Sequence, residues 1–567
     1  MSEDSSYPCI DPINFDLVIV GTGLSESVIA AAASAAGKTV LHLDHNSFYG
    51  SHCASLSLNE LTSFLSSHSV PPQPPPSPST TDEQQKDDHV VIDLIPRSLY
   101  SEVEISSYAS ETEAILLETS RKFNLDLGGP RALFCADKTI DLLLKSGASQ
   151  YLEFKSIDAS FIFHKNNENG NLVNVPDSRA AIFKDKSLGI FEKNKLMAFF
   201  KLVQQHLAAS SSGNNGNDTE TSESAKISDE DLDCPFHVYL KKIGLPPKIK
   251  SIILYAIAMA DYDQYNNEAC QEVLKTKDGI DRLALYISSV GRFPNASGAL
   301  LYPIYGEGEL PQAFCRRAAV KGCLYVLRMT VTSLLIDKDT GHYKGVRLAS
   351  GQDLYSNQLI LDPSFTVSPP SSAPIDFWGE SLQMLSRRDV KEIVARGICV
   401  TRSSIKSDVS NCLVVYPPKS FFPEQVTSVR ALQIGANLAV CPSGMFILYI
   451  STLCDDANQG KKLVHATMNA LLTIPVSGIP ESNPIVQTEN ADAKPTVLWS
   501  ACYIQELTTG HYESISSTPM PDGNLTYNDL LEEAVRIFHQ MYQNEEFFPE
   551  TISPENPEDN GGLTLEI

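Results

Sequence analysis

Residues 15–20, FDLVIV, make an apolar, β-rich run that leads through GTGLSE into an Ala-rich stretch from Ser27 to Ala36, a stop at Gly37 and a second run, TVLHLD. Run, helix-length stretch and run spell a βαβ unit, whose parallel strands predict a doubly wound sheet at the N-terminus. Further along, Leu196, Phe199, Phe200, Val203 and Leu207 recur at helical spacing, and so do Ile249, Ile252, Ile253, Ala256, Ile257 and Ala260. They predict a small helical domain over 176–291, inserted into an α/β domain made of 1–175 and 292–548. Past it, LYVLRMTVTSLLID, the turn KDTGHYK and GVRLAS predict strands with a hairpin. The fold class expected is α/β (α+β): a Rossmann-like large domain plus the inserted helical one.

Polar segments interrupt this pattern. Residues 66–88, which contain VPPQPPPSPSTTDEQQKDD, and 210–231, SSSGNNGNDTETSESAKISDED, carry too little apolar surface to offset the entropy of ordering, and are expected to be disordered insertions. Residues 549–567 are expected to form a loose acidic tail. A chain of 567 residues is too long for one compact core, and 42% hydrophobic with 20% charged residues is ordinary globular usage. Forty-four basic against 69 acidic residues leave a net charge of −25, which weighs against nucleic acid as a partner. The start, MSEDSSYPCI, lacks the basic and apolar regions of a secretory signal, and no stretch of about 18 apolar residues occurs, so a cytosolic location is expected. The twelve cysteines include no C-x-x-C pair, and Cys315 and Cys323, eight apart in an apolar stretch, read as packing thiols. The terminal LTLEI has no cysteine to prenylate, so any lipid belongs to a partner.

The turn after the first strand is a damaged FAD/NAD(P)-binding fingerprint. Gly21 and Gly23 are present, but Glu26 stands where the third glycine of G-x-G-x-x-G belongs, and a carboxylate there would repel the phosphates that a helix N-terminus attracts. Asp44, followed by His45, sits where a ribose-binding acid belongs. The residues alone leave both a bound flavin and an empty dinucleotide fold open. Gly306 and Gly308 read as a turn before a helix opened by Pro311. Taken singly, Tyr49 is a turn tyrosine and Glu309 and Arg316 a helix-surface pair.

Three separated blocks change that reading. DLVIVGTGLSE, VLHLD and NSFYG (46–50), YLEFKSIDASF (151–161) and LYPIYGEGELPQAFCRRAAVKG (301–322) together resemble the Rab escort protein and GDP-dissociation-inhibitor family, over about 14–347, with weaker islands at 498–507 and 538–549. The resemblance implies a flavoprotein-like fold used without cofactor, no catalysis, and binding of Rab GTPases, the GDP form preferred. The family's Rab platform falls on Tyr49, Glu309 and Arg316, with two further positions, Thr and Met in the inhibitors, at Leu324 and Val326. The escort branch also contacts the α subunit of the Rab geranylgeranyltransferase α/β heterodimer through a Phe and, eleven residues later, an Arg. These fall on Phe183 and Asn194, and Asn offers no guanidinium fork. Read without the resemblance, Phe183 is equally a core aromatic.

Length and the two inserts favour escort over recycling inhibitor. A Rab tail with two geranylgeranyl groups exposes about forty carbons, each worth about 0.8 kcal/mol on burial, so the product needs shelter until transient contact with a membrane delivers it. The helices at 196–207 and 249–260 could wall that shelter or be plain core. The rival from another class is a flavin-dependent oxidoreductase. No P-loop, G-x-S-x-G or H-E-x-x-H pattern points to chemistry of the chain's own.

Overall fold

The computed structural model describes residues 9–68, 89–108, 110–166, 169–211, 226–266, 273–367, 390–475, 494–508, 515–549 and 564–565. The first strand, Asn14–Val20, lies between parallel neighbours, Val40–Asp44 on one side and Asp353–Leu361 on the other. Leu17 and Ile19 enter one core cluster, Val18 and Val20 another, so the strand is buried on both faces and shows no polar alternation. The crossover helix is Leu24–Ala35, three residues ahead of the start expected from its apolar run, because Ser25 and Glu26 are themselves buried in its first turn.

The nine-stranded sheet begins at an edge strand, Leu324–Leu327, parallel to Val40–Asp44. Beyond Asp353–Leu361 it continues antiparallel through Tyr343–Leu348, Val331–Asp337, His89–Pro96 and Phe365–Val367. The expected hairpin is Val331–Asp337 with Tyr343–Leu348. Strand order reverses at the end of the first strand, which sets a crevice there.

A second sheet of eight strands packs one face on helix Ala457–Leu471 and the other on the helices that follow Asn169–Asn174. Between that strand and Leu300–Pro303, every regular element among the described residues is helical. Leu196, Phe199, Val203, Ile249 and Ile252 through Ile257 are buried in this shared core, so these faces are core rather than an open wall. The spacing over 249–260 predicts one α-helix; the structure breaks it into Pro247–Ser251 and a wider π-turn, Ile252–Ile257, in which all six side chains are buried.

Regular structure reaches into the polar inserts. Leu58–His68 and Ile190–Ser211 run past their first residues, and Asp229–Asp233, capped by the Ser228 hydroxyl, forms inside the second. Ile227, also inside the second, is buried and donates its N–H to His206 Nδ1 at 3.1 Å, so this end of it is ordered; 69–88 and 212–225 lie outside the described residues. In the acidic tail, expected to be loose, Thr564–Leu565 pairs in parallel with Glu153–Phe154. Among the described residues no helix is long and apolar enough to cross a membrane.

Candidate functional site

At the crevice Gly21 turns with φ of +97°, pressed so closely on Asp362 that a side chain would collide with it. The groups that would hold a dinucleotide are engaged internally. Asp44, fully buried, accepts bonds from Thr22 N (2.9 Å), Thr22 Oγ1 (2.6 Å), Ser51 Oγ (3.1 Å) and, on its other oxygen, Asn46 N (2.8 Å). Glu26 folds back against Gly23 and is hydrogen-bonded to the Thr518 hydroxyl. The space left between Gly23, Glu26, His52, Asp362 and Pro519 is about 10 Å³, barely room for one water. A flavin dinucleotide does not fit these residues.

Electrostatics refine the expectation of phosphate repulsion. Burial, with the Asp362 and Asp44 carboxylates adding, pushes Glu26 up to about 8, so it is mostly neutral at neutral pH and excludes a phosphate by filling its place. Burial alone would raise Asp362 too, but His52, 3.2 Å away, and Ser364 hold it down at about 2. A folded-state value above the unfolded 4.5 means that Glu26 keeps its proton after the unfolded chain has released it. Its contribution to stability is therefore full below 4.5 and lost as pH rises towards about 8. Glu26→Gln, permanently neutral, is expected to flatten that decline, which urea midpoints measured across the interval would read; a parallel decline in both proteins would contradict it.

The surface residues fall on the edge strand, the loop beside it and the helix Glu309–Val320. Tyr49, half-buried in the loop after Val40–Asp44, meets Tyr325 edge-on with ring centroids 6.0 Å apart, and Tyr325 rests on His42 at 4.9 Å. Glu309 opens the helix Glu309–Val320, where its negative charge meets the positive end of the dipole. Pro311 is the third residue of this helix, not its opener. Burial raises the Glu309 carboxyl and Arg316, two turns on, opposes the rise. Arg316 is exposed, whereas Arg317 turns inward to the Ser146 carbonyl at 2.7 Å. Val320, one turn past Arg316, is also exposed.

Leu324 and Val326 alternate away from Tyr325, so they lie on the opposite face of the edge strand, Leu324 exposed and Val326 against the cluster of Val18, Val20, Leu41 and Leu43. Tyr49, Leu324 and Val326 thus border one sheet edge, while Glu309 and Arg316 lie on the helix Glu309–Val320 that precedes it in the chain. Tyr325, which braces Tyr49, and Val320 escape a reading of the sequence; the alternation in LYVL was the available signal for the first. Cys315 and Cys323 are buried beside Tyr49, their thiols pushed up by burial to about 11 and about 12, and among the described residues no cluster of three metal-ligating side chains occurs.

Phe183 is 63% exposed at the end of the short helix Arg179–Lys184, which answers the core alternative for it, and Asn194 is exposed in the first turns of Ile190–Ser211. Both therefore face outward.

The sequence profile of the GDP dissociation inhibitor family matches residues 12–115 and 99–518. Rab escort protein 1 of Arabidopsis thaliana is 58% identical over 99% of both chains. The Rab proteins geranylgeranyltransferase component A of Drosophila melanogaster is 27% identical over 96% of this chain and 91% of its own. Among solved structures, a Rab GDI from Plasmodium falciparum aligns over 94% of this chain and 99% of its own, with a TM-score of 0.62 at 18% identity, a likeness of fold.

Proposed function

Because the chain belongs to the GDP dissociation inhibitor family, we propose that it works as an escort for Rab GTPases. It binds a newly made Rab in the GDP form, presents the Rab C-terminal cysteines to Rab geranylgeranyltransferase, and carries the lipidated product through the cytosol to a membrane. The observation that carries escort over recycling is the 58% identity, end to end, with a protein named Rab escort protein 1. The chain makes and breaks no bond itself; the α/β transferase supplies the chemistry, and this protein supplies positioning.

In this reading the large domain, 1–175 with 292–548, holds Rab on Tyr49, Glu309, Arg316, Leu324 and Val326. An aromatic anchored on a second ring, together with an exposed guanidinium and a half-buried carboxylate on a nearby element, is the composition of an interface hot spot. The helical domain, 176–291, meets the transferase through Phe183, and sheltering the geranylgeranyl lipid there requires its helices to part, since the apolar faces at 196–207 and 249–260 are closed core. Asn194 supplies a neutral amide in place of a guanidinium, so that contact leans on Phe183.

Reconstituted prenylation tests this: transferase, unprenylated Rab and labelled geranylgeranyl diphosphate, with and without the chain. Stimulated transfer is expected. Asn194→Arg is expected to tighten the transferase complex roughly tenfold, from the 1.5–3 kcal/mol of a hydrogen bond to a charged group, and Phe183→Ala to weaken it. No stimulation by a chain that still extracts prenylated Rab from membranes would make it a recycling inhibitor instead.

A further inference from the structure

The four most exposed large apolar side chains among the described residues are Ile190 (82%), Val320 (66%), Phe191 (64%) and Phe183 (63%). Three of them fall within nine residues, at the turn between Arg179–Lys184 and Ile190–Ser211. Lysines ring this apolar tip. Lys193 Nζ donates to the Phe183 carbonyl at 2.8 Å, Lys248 Nζ to the Ser187 carbonyl at 2.5 Å, and the Lys195 ammonium stands 5.7 Å from the Phe191 ring centre. Lys184 and Lys186 are exposed between them. The two acids of the segment face inward to the backbone: Glu192 accepts from Gly189 N at 2.8 Å, and Asp185, buried, accepts from Ser187 N at 2.7 Å.

Five ammonium groups around three protruding apolar side chains, in a chain of net charge −25, are a local reversal of the protein's electrostatics. We infer that this tip docks on an anionic lipid surface, with Ile190, Phe191 and Phe183 entering the headgroup boundary and the lysines meeting lipid phosphates and carboxylates. Lysine is depleted at protein–protein interfaces, whereas interfacial membrane helices set lysines beside apolar and aromatic residues, the long stems lying along the apolar surface and the ammoniums reaching the headgroups. The acidic remainder of the protein does not cancel the attraction, because charges beyond a Debye length of about 8 Å are screened at physiological salt. Each lysine near an anionic bilayer strengthens partitioning roughly fivefold.

The lipid contact rests on these exposed residues alone. Its place in the cycle rests on the proposed escort function: the transferase and the membrane would share Phe183, so release of the first would uncover the surface for the second.

Co-sedimentation of the full chain, without Rab, with vesicles of phosphatidylcholine alone and of phosphatidylcholine with phosphatidylserine tests the contact. Binding is expected to the anionic vesicles only and to fade as salt is raised. The double substitution Ile190→Glu/Phe191→Glu is expected to reduce it tenfold or more, and Lys184→Glu/Lys186→Glu to reduce it comparably, with Rab affinity unchanged in both. Absence of vesicle binding by the unsubstituted chain would overturn the inference, as would binding that ignores both variants. So would a result in which the variants weaken only the transferase complex, which would make the tip a protein interface. Rab and transferase binding, scored separately, keep failure of the lipid contact distinct from failure of the escort reading.

Discussion

Tyr49→Ala is expected to weaken binding of GDP-bound Rab by about 2 kcal/mol or more, roughly thirtyfold, with little change in folding stability. The ring is half-buried and held edge-on by Tyr325, so it loses little freedom when a partner covers it. Its truncation also leaves Tyr325 without its outer neighbour. Arg316→Glu should weaken binding as well, and should place a second carboxylate near the half-buried Glu309, so its effect should shrink as salt rises. Titration of a labelled Rab against the three proteins, beside thermal unfolding of each, separates the two effects. Unchanged affinity in Tyr49→Ala would move the Rab site away from the Leu324–Leu327 edge.

Arg131→Met is expected to cost about 3–5 kcal/mol of folding stability, the range for breaking a buried ion pair from one side. The Arg131 side chain has no exposed surface and gathers Asp529 at 2.9 Å, Asp522 at 3.0 Å and the Thr526 carbonyl at 2.5 Å. Without it, two carboxylates, 25% and 19% exposed, face each other at the border of the interior. Burial and the neighbouring Asp529 already push Asp522 up to about 7 despite Arg131, so in the variant a proton would be taken up to relieve the repulsion, and the loss should deepen as pH rises. Replacing Asp522 and Asp529 by Asn in the same protein should recover part of it. A loss below about 1 kcal/mol in denaturant titration, the worth of a surface pair, would show that the cluster does not act as a buried one. The damage should reach the proposed Rab surface too. The 128–131 loop that Arg131 anchors donates Gly128 N to Glu307 at 2.9 Å, two residues before the helix that carries Glu309 and Arg316.

How much of this was legible in the chain depended on the range of the interaction. The βαβ start was legible because a strand buried on both faces must be apolar throughout, and the crossover helix is a local element closed by Gly37. The misfit of a dinucleotide was legible at Glu26 as a residue but not in its cause. The sequence suggests repulsion by a charge, whereas burial, with Asp362 adding and the Thr518 hydroxyl opposing, leaves a neutral, space-filling acid. The helical spacing at 249–260 was visible, yet the π-turn depends on how six side chains fit against the second sheet. Phe183 and Phe199 are the same residue type in the same polar-apolar rhythm, and nothing local says that one is exposed and the other 2% exposed.

The sequence by itself determined the fold class and the family through its three blocks, since each follows from short-range pattern: apolar run length, helical period, glycine at turns. Only the tertiary structure decided that Tyr49 meets Tyr325 at one sheet edge, that Arg131 reaches acids almost four hundred residues away, and that Asp44 spends its oxygens on Thr22, Asn46 and Ser51. These are contacts between segments distant along the chain, and their energies depend on burial and on which groups exclude water. A linear string carries the groups but not their solvent.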